Sequence, residues 1–279
     1  MTLLPILASL ALALPGPTAL AQTPPPPAPT WAFQPDADTV RADSLLDLRS
    51  LNEKAAGESG FVRRTPDGAG FALGSGKPVR FWAMGEDVGN TGDKAVMAHK
   101  ARWLAKRGVN MIRDAAFLEP TADGSKITDV NETKLTQAWE QIAAMKREGI
   151  YTTLVLYWAA GPIKMRDSWG VPGHPQDASG LLFFDKAMQA GYKAWLRALF
   201  TRPNPETGVP LAREPAVALI ELQNEDSLLF WTAQGIKGPP LDELRGLYGD
   251  WLTRKYGSLE KANAAWGGQR PPADDFQEK

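Results

Sequence analysis

Glu225 stands in the run AVALIELQNEDS, directly after Asn224 and just beyond a strand-forming stretch from Ala216 to Leu222. Two-residue alternation along a strand sets Glu221, Gln223 and Glu225 on one side, while Asn224 points away or twists out at the strand end. Two inward carboxylates on one strand are costly without partners. Arg113, which closes the apolar run Val109 to Arg113, is a candidate ion-pair partner for Glu221. Taken alone, an Asn-Glu pair at a strand end also fits a turn carrying a solvated charge. Other chemistries have less to stand on. The chain has two distant histidines and no cysteine, so no metal-ligand spacing is present and a zinc site is not expected. No Gly-X-Ser-X-Gly elbow supports a serine nucleophile, and no Gly-rich loop follows a strand to cradle a nucleotide phosphate.

The elements that must position these residues follow from the hydrophobic pattern. Leu3 to Leu14 is apolar and is followed by a Pro-Gly break and Ala19-Leu20-Ala21, so residues 1–21 read as an export signal; no Lys or Arg precedes the apolar run, and a membrane anchor is the alternative. Residues 22–30 hold TPPPPAP, a semi-rigid linker. Residues 31–78 read as an N-terminal β-hairpin segment packed on the following domain, with PDG and GSG as turn signals. From Val79 the pattern becomes β/α. Strands are expected at Val79 to Met84 (buried), Val109 to Arg113, Ile150 to Trp158 and Ala216 to Leu222. Helices are expected at Asp93 to Lys106, Asn131 to Glu148, Asp185 to Phe200, Leu241 to Tyr256 and Ser258 to Trp266. Apolar strands alternating with helices mark a parallel sheet, either an open doubly wound sheet or a (β/α)8 barrel. An eight-stranded barrel needs four further units, so residues 79–279 are expected to form the first half of a TIM barrel, with the chain as an N-terminal portion.

Six segments carry a family resemblance: KPVRFWAMG, KRGVNMIRDAAF, REGIYTTLVLYW and EPAVALIELQNEDSL at successive strands, NPETG before the fourth strand and KYGSLEKANAAWG after it. Over residues 42 to 270 the chain resembles clan A glycoside hydrolases, closest to the family five, cellulase-like enzymes. The resemblance implies that Glu225 is the general acid that protonates the leaving glycosidic oxygen, and later the base that activates water. That role needs a carboxyl shielded from water so that it stays protonated until used. Asn224 would hold the sugar 2-hydroxyl, and Arg113 would orient the nucleophilic carboxylate. The nucleophile, expected roughly 5 to 5.5 Å from the acid/base, ends strand seven in the family, and this chain offers no match for it. Glu243, Glu260 and Glu278 lie on helices or in the tail, and Glu86, Asp87 and Asp114 belong to strands one and two.

Two departures bear on specificity. Tyr157 stands where many relatives place a histidine, and Val155 where an acidic or amide group is common; His174 in WGVPGH is a candidate replacement for the missing imidazole. Indole rings stack on the CH faces of sugars, and Trp158, Trp169 and Trp231 lie beyond strand ends as candidates to line a cleft. Trp103, Trp139 and Trp195 fall at helical spacing and read as core, and His99 as structural.

The 31 basic and 32 acidic residues nearly cancel. This removes the attraction to phosphate on which nucleic-acid binding relies and favours a neutral substrate. The expectation is therefore a secreted or periplasmic retaining O-glycoside hydrolase acting on a poly- or oligosaccharide, without cofactor, nucleic acid or membrane association after signal cleavage. These residues alone are expected to be inactive. A catalytically silent carbohydrate-binding barrel is the alternative.

Overall fold

Helix starts are set by polar side chains that take over unpaired backbone N–H groups. Asp93 accepts from the N–H groups of Ala95 and Val96 and opens α1 (Lys94–Lys106). Asn131 accepts from Lys134 and opens α2 (Glu132–Arg147), and Asp185 accepts from Met188 and opens α3 (Lys186–Thr201). Ser258 does the same through Lys261 for α5 (Leu259–Ala265). Each cap is worth about 1 kcal/mol. α4 (Pro239–Tyr256) instead begins on Pro and ends at Gly257, whose φ of +88° closes the last turn. The computed structural model describes residues 40–269 apart from 42, 86–91, 160–162, 172 and 174–177. The expected signal and linker lie outside the described residues.

Among the described residues, seven strands form two sheets. β1 (Arg63–Arg64), β2 (Phe71–Ala72) and β3 (Pro78–Val79) make a small antiparallel sheet. β4 (Ala83–Gly85), β5 (Met111–Ala115), β6 (Tyr151–Val155) and β7 (Val217–Glu221) make a parallel sheet in sequence order. α1, α2 and α3 fall between successive strands. This is the α/β alternation expected from the sequence.

Val79 to Met84, expected as a single buried strand, is two short strands in different sheets. Between them Asn110 receives the Trp82 N–H at 2.7 Å and donates to the Arg80 carbonyl at 3.0 Å, so its amide holds the chain where it passes from one sheet to the other. All three β4 residues are exposed, because β4 has a hydrogen-bonded neighbour on one side only among the described residues.

The centre of the sheet packs on its helices. Leu135, Trp139 and Ile142, on one face of α2, meet Leu154 of β6 and Trp195 of α3, while Met97 and Leu104 of α1 meet Ile112 of β5 and Met145 of α2. Beneath the N-terminal end of the strands, Leu73, just after β2, and Ala56 pack against Met111, Tyr151 and Ala216. Among the described residues no helix is long and apolar enough to cross a membrane.

Candidate active site

Parallel register decides which side chains meet at the C-terminal edge of the sheet. Arg113 on β5 is level with Thr153 on β6, and Val155 of β6 is level with Glu221 on β7, so Arg113 and Glu221 flank β6 on the same face. Arg113 reaches across. Its Nε donates to Glu221 Oε2 at 2.9 Å and its Nη2 donates to Glu221 Oε1 at 3.0 Å, a bidentate pair. Nη2 also donates to Asn224 Oδ1 at 2.8 Å. The guanidinium thus engages both the last residue of β7 and the residue before Glu225. At about half exposure the pair adds only ~1 kcal/mol or less to stability. Its main effect is orientation.

The segment after β7 is anchored at several points. Tyr192 of α3 donates its hydroxyl to the Leu222 carbonyl at 2.5 Å, and the Asn224 N–H donates to the Tyr157 carbonyl at 2.8 Å. Between Asn224 and Asp226, Glu225 adopts φ +47°, the only positive φ of a residue other than glycine among the described residues. For an L-residue this left-handed conformation costs about 1–2 kcal/mol. Such outliers persist only where their surroundings enforce them, and they cluster at functional sites. Glu225 itself is exposed. The water-shielded pocket that the resemblance implies for it is not formed by the described residues.

Of the other residues singled out in the sequence, Trp231 is 57% exposed and lines a recess of about 520 Å³ together with Leu228, Leu229, Phe230, Ala233 and Gln234. Trp158 is half-buried. Tyr157 is wholly buried among the described residues, edge-on to Tyr192 with ring centroids 5.4 Å apart. Trp169 is likewise buried and packs on Trp195 at 6.3 Å. Trp103, expected in the core, lies on the open side of α1 under the Arg107 guanidinium, which is 3.5 Å from the ring centroid. Trp139 and Trp195 are core, as expected. His99 is exposed on α1. His174, Glu86 and Asp87 lie outside the described residues.

Asp114 alternates with Arg113 along β5 and is 8% exposed. Glu119, beyond the end of β5, is 7% exposed with Oε2 unpartnered, and burial pushes its carboxyl up to about 6. Among the described residues no group of three or more His, Cys, Asp or Glu is arranged to hold a metal ion. Asp226, absent from the sequence-derived site, ties the loop together through its carboxylate. The acidic residue with a threonine six positions on is the signal that was available for it.

No family model matches the chain, and no curated protein matches it in sequence. Among solved structures it is similar to an endo-1,4-beta-mannanase from Rhizomucor miehei, at 17% identity and a TM-score of 0.50, over 74% of this chain and 58% of that one. It is also similar to a glycoside hydrolase family 5 mannosidase from the same organism, at 14% identity and a TM-score of 0.44, over 72% and 54% of the two chains. An endo-1,4-beta-D-mannanase from Thermotoga petrophila aligns at 18% identity and a TM-score of 0.41, over 66% and 53%. The chain spans little more than half the length of these proteins. At 17% identity the first likeness shows the fold alone: a parallel β/α arrangement shared with a polysaccharide hydrolase.

Proposed function

We propose that this chain carries the acid/base portion of a retaining glycoside hydrolase, with Glu225 as the acid/base, Asn224 as the contact to the sugar 2-hydroxyl, and Trp231 and Trp158 as sugar-stacking surfaces. Its four parallel strands are read as the first four units of a (β/α)8 barrel, with the nucleophilic carboxylate supplied by later units. The observation that carries this reading is the Arg113–Glu221–Asn224 cluster beside a strained Glu225 at the C-terminal edge of a parallel sheet, the edge on which β/α barrels build their chemistry. Arg113 orients Asn224 and neutralises Glu221, leaving Glu225 as the carboxyl free for proton transfer at this edge.

The mechanism asks Glu225 to protonate the departing oxygen, then to take a proton from water as the glycosyl-enzyme is hydrolysed. Its exposure in the described residues calls for substrate and further barrel units to exclude water around it. The test is Glu225→Gln in the natural full-length protein, assayed on a polysaccharide panel that includes a β-1,4-mannan, the substrate class named for the R. miehei neighbour. Turnover of unactivated glycosides should fall at least ~100-fold, the low end of general acid catalysis, with binding retained. Unchanged turnover removes Glu225 from the mechanism.

A catalytically silent carbohydrate-binding barrel is the second reading, supported by the exposure of Glu225, which lacks the water-shielded surroundings an acid/base needs. Saccharide-dependent quenching of tryptophan fluorescence without hydrolysis by the full-length protein selects that reading. Export directed by residues 1–21 belongs to both readings, and fractionation of expressing cells tests it.

A further inference from the structure

Asp226 follows Glu225 directly, and its carboxylate gathers donors from three segments. Oδ1 and Oδ2 each lie 3.0 Å from the Gly180 N–H, Oδ1 accepts from Thr232 Oγ1 at 2.8 Å, and Oδ2 accepts from Gln223 Nε2 at 3.0 Å. Thr232 is 2% exposed, so one of these bonds is made in the interior. Gly180 sits in the turn before α3 with φ +74°, and a Cβ there would lie 2.6 Å from Ile236 Cδ1. The turn and the 231–236 segment are therefore in contact, and Asp226 fastens the strand end to both.

On the other side of Glu225, Asn224 is held by the Tyr157 carbonyl and by Arg113. A glutamate whose two neighbours are both fixed takes whatever backbone angle joins them, and here that angle is φ +47°. We propose that Asp226 is a positioning residue: by anchoring the loop to Gly180 and Thr232 it forces Glu225 into the left-handed conformation that sets the direction of its carboxyl. The catalytic value of that direction rests on the acid/base reading; the enforced strain does not.

A mutant cycle in the natural full-length protein, read by urea unfolding, tests this. Asparagine tolerates the left-handed region better than glutamate. Glu225→Asn should raise the unfolding midpoint by about 0.5 M urea, given ordinary denaturant slopes. In an Asp226→Ala background, where the loop relaxes, the same change should produce no rise. In an Asp226→Asn background, which keeps an acceptor for Gly180 and Thr232, most of the rise should return. Should Asp226→Ala fail to fold, Thr232→Val removes one donor and should reduce the rise. No rise in the native background, or an equal rise with Asp226→Ala or Thr232→Val, overturns the proposal. The acid/base reading fails separately, through unchanged turnover of Glu225→Gln, whatever the cycle gives.

Discussion

At the N-terminal end of the parallel sheet, buried and half-buried polar groups from distant segments are tied together by hydrogen bonds; at the C-terminal end Arg113 and Glu225 are more open and the backbone is strained. Below the strands, Glu53 accepts from the Tyr151 hydroxyl, from Ser59 Oγ at 2.5 Å and from the Gly57 N–H at 3.1 Å. Asn52 donates to the Val109 carbonyl, and Lys146 meets Glu214, which is 1% exposed, at 2.8 Å. The hairpin sheet covers Met111 and Tyr151 at the same end. Above the strands, Arg113 is 47% exposed and Glu225 departs from ordinary backbone geometry. One end ties its polar groups together, although Glu214 Oε2 and Thr152 Oγ1 stay buried without a partner. The other accepts strain and solvent so that side chains can be aimed outward.

That contrast can be broken most severely at the lower end. Lys146→Met leaves Glu214 buried without its cation and should cost about 3–5 kcal/mol in urea unfolding. Under the proposed function, the fraction that remains folded should keep its response to saccharide.

Glu119 sharpens the contrast because it is a buried, half-satisfied carboxyl on the upper side. Its folded-state pKa, raised from 4.5 to about 6, means that the folded protein holds the proton more tightly than the unfolded chain. The stability present below pH ~4.5 is lost as the pH rises through ~6, about 2 kcal/mol in all. Glu119→Gln should therefore stabilise the protein by roughly that amount at pH 7, and the gain should disappear at pH 4. A gain of equal size at both pH values would contradict the burial account.

Tyr151→Phe removes one donor from Glu53 while Ser59 and Gly57 remain, and a loss of about 1–2 kcal/mol is expected from thermal or urea unfolding. The smallest effect on stability belongs to the upper end. Arg113→Met should cost about 1 kcal/mol or less. Under the proposed function it should nonetheless lower turnover about 100-fold, because Asn224 loses its anchor. A large stability loss with intact turnover would reverse the roles assigned to the two ends.

Much of this arrangement is legible in the residues themselves. The helices begin at Asp93, Asn131, Asp185 and Ser258 because their side chains satisfy backbone donors a few residues away, a local interaction that pattern reading captures. The Arg113–Glu221 pair is legible for a similar reason: strand alternation sets both side chains on one face, and a second inward carboxylate needs a cation. Other assignments depended on contacts distant in sequence. Tyr157 and Trp169 follow or lie beyond a strand end and look available to a ligand, yet Tyr192 and Trp195 of α3 pack against them and close that space. Trp103 has core spacing on α1, but it is 37% exposed and Arg107 stacks on its ring.

By itself, the sequence determined the order of elements, the parallel α/β class and the edge at which Arg113, Asn224 and Glu225 gather, because these follow from periodicity, caps and chain order. Tertiary structure decided which aromatic rings are buried, where Val79 to Met84 breaks between two sheets, and that Glu225 is held at a positive φ. Each of those outcomes depends on a partner far away in the chain: Tyr192 for Tyr157, Asn110 for the strand break, and Gly180 for the loop that carries Glu225.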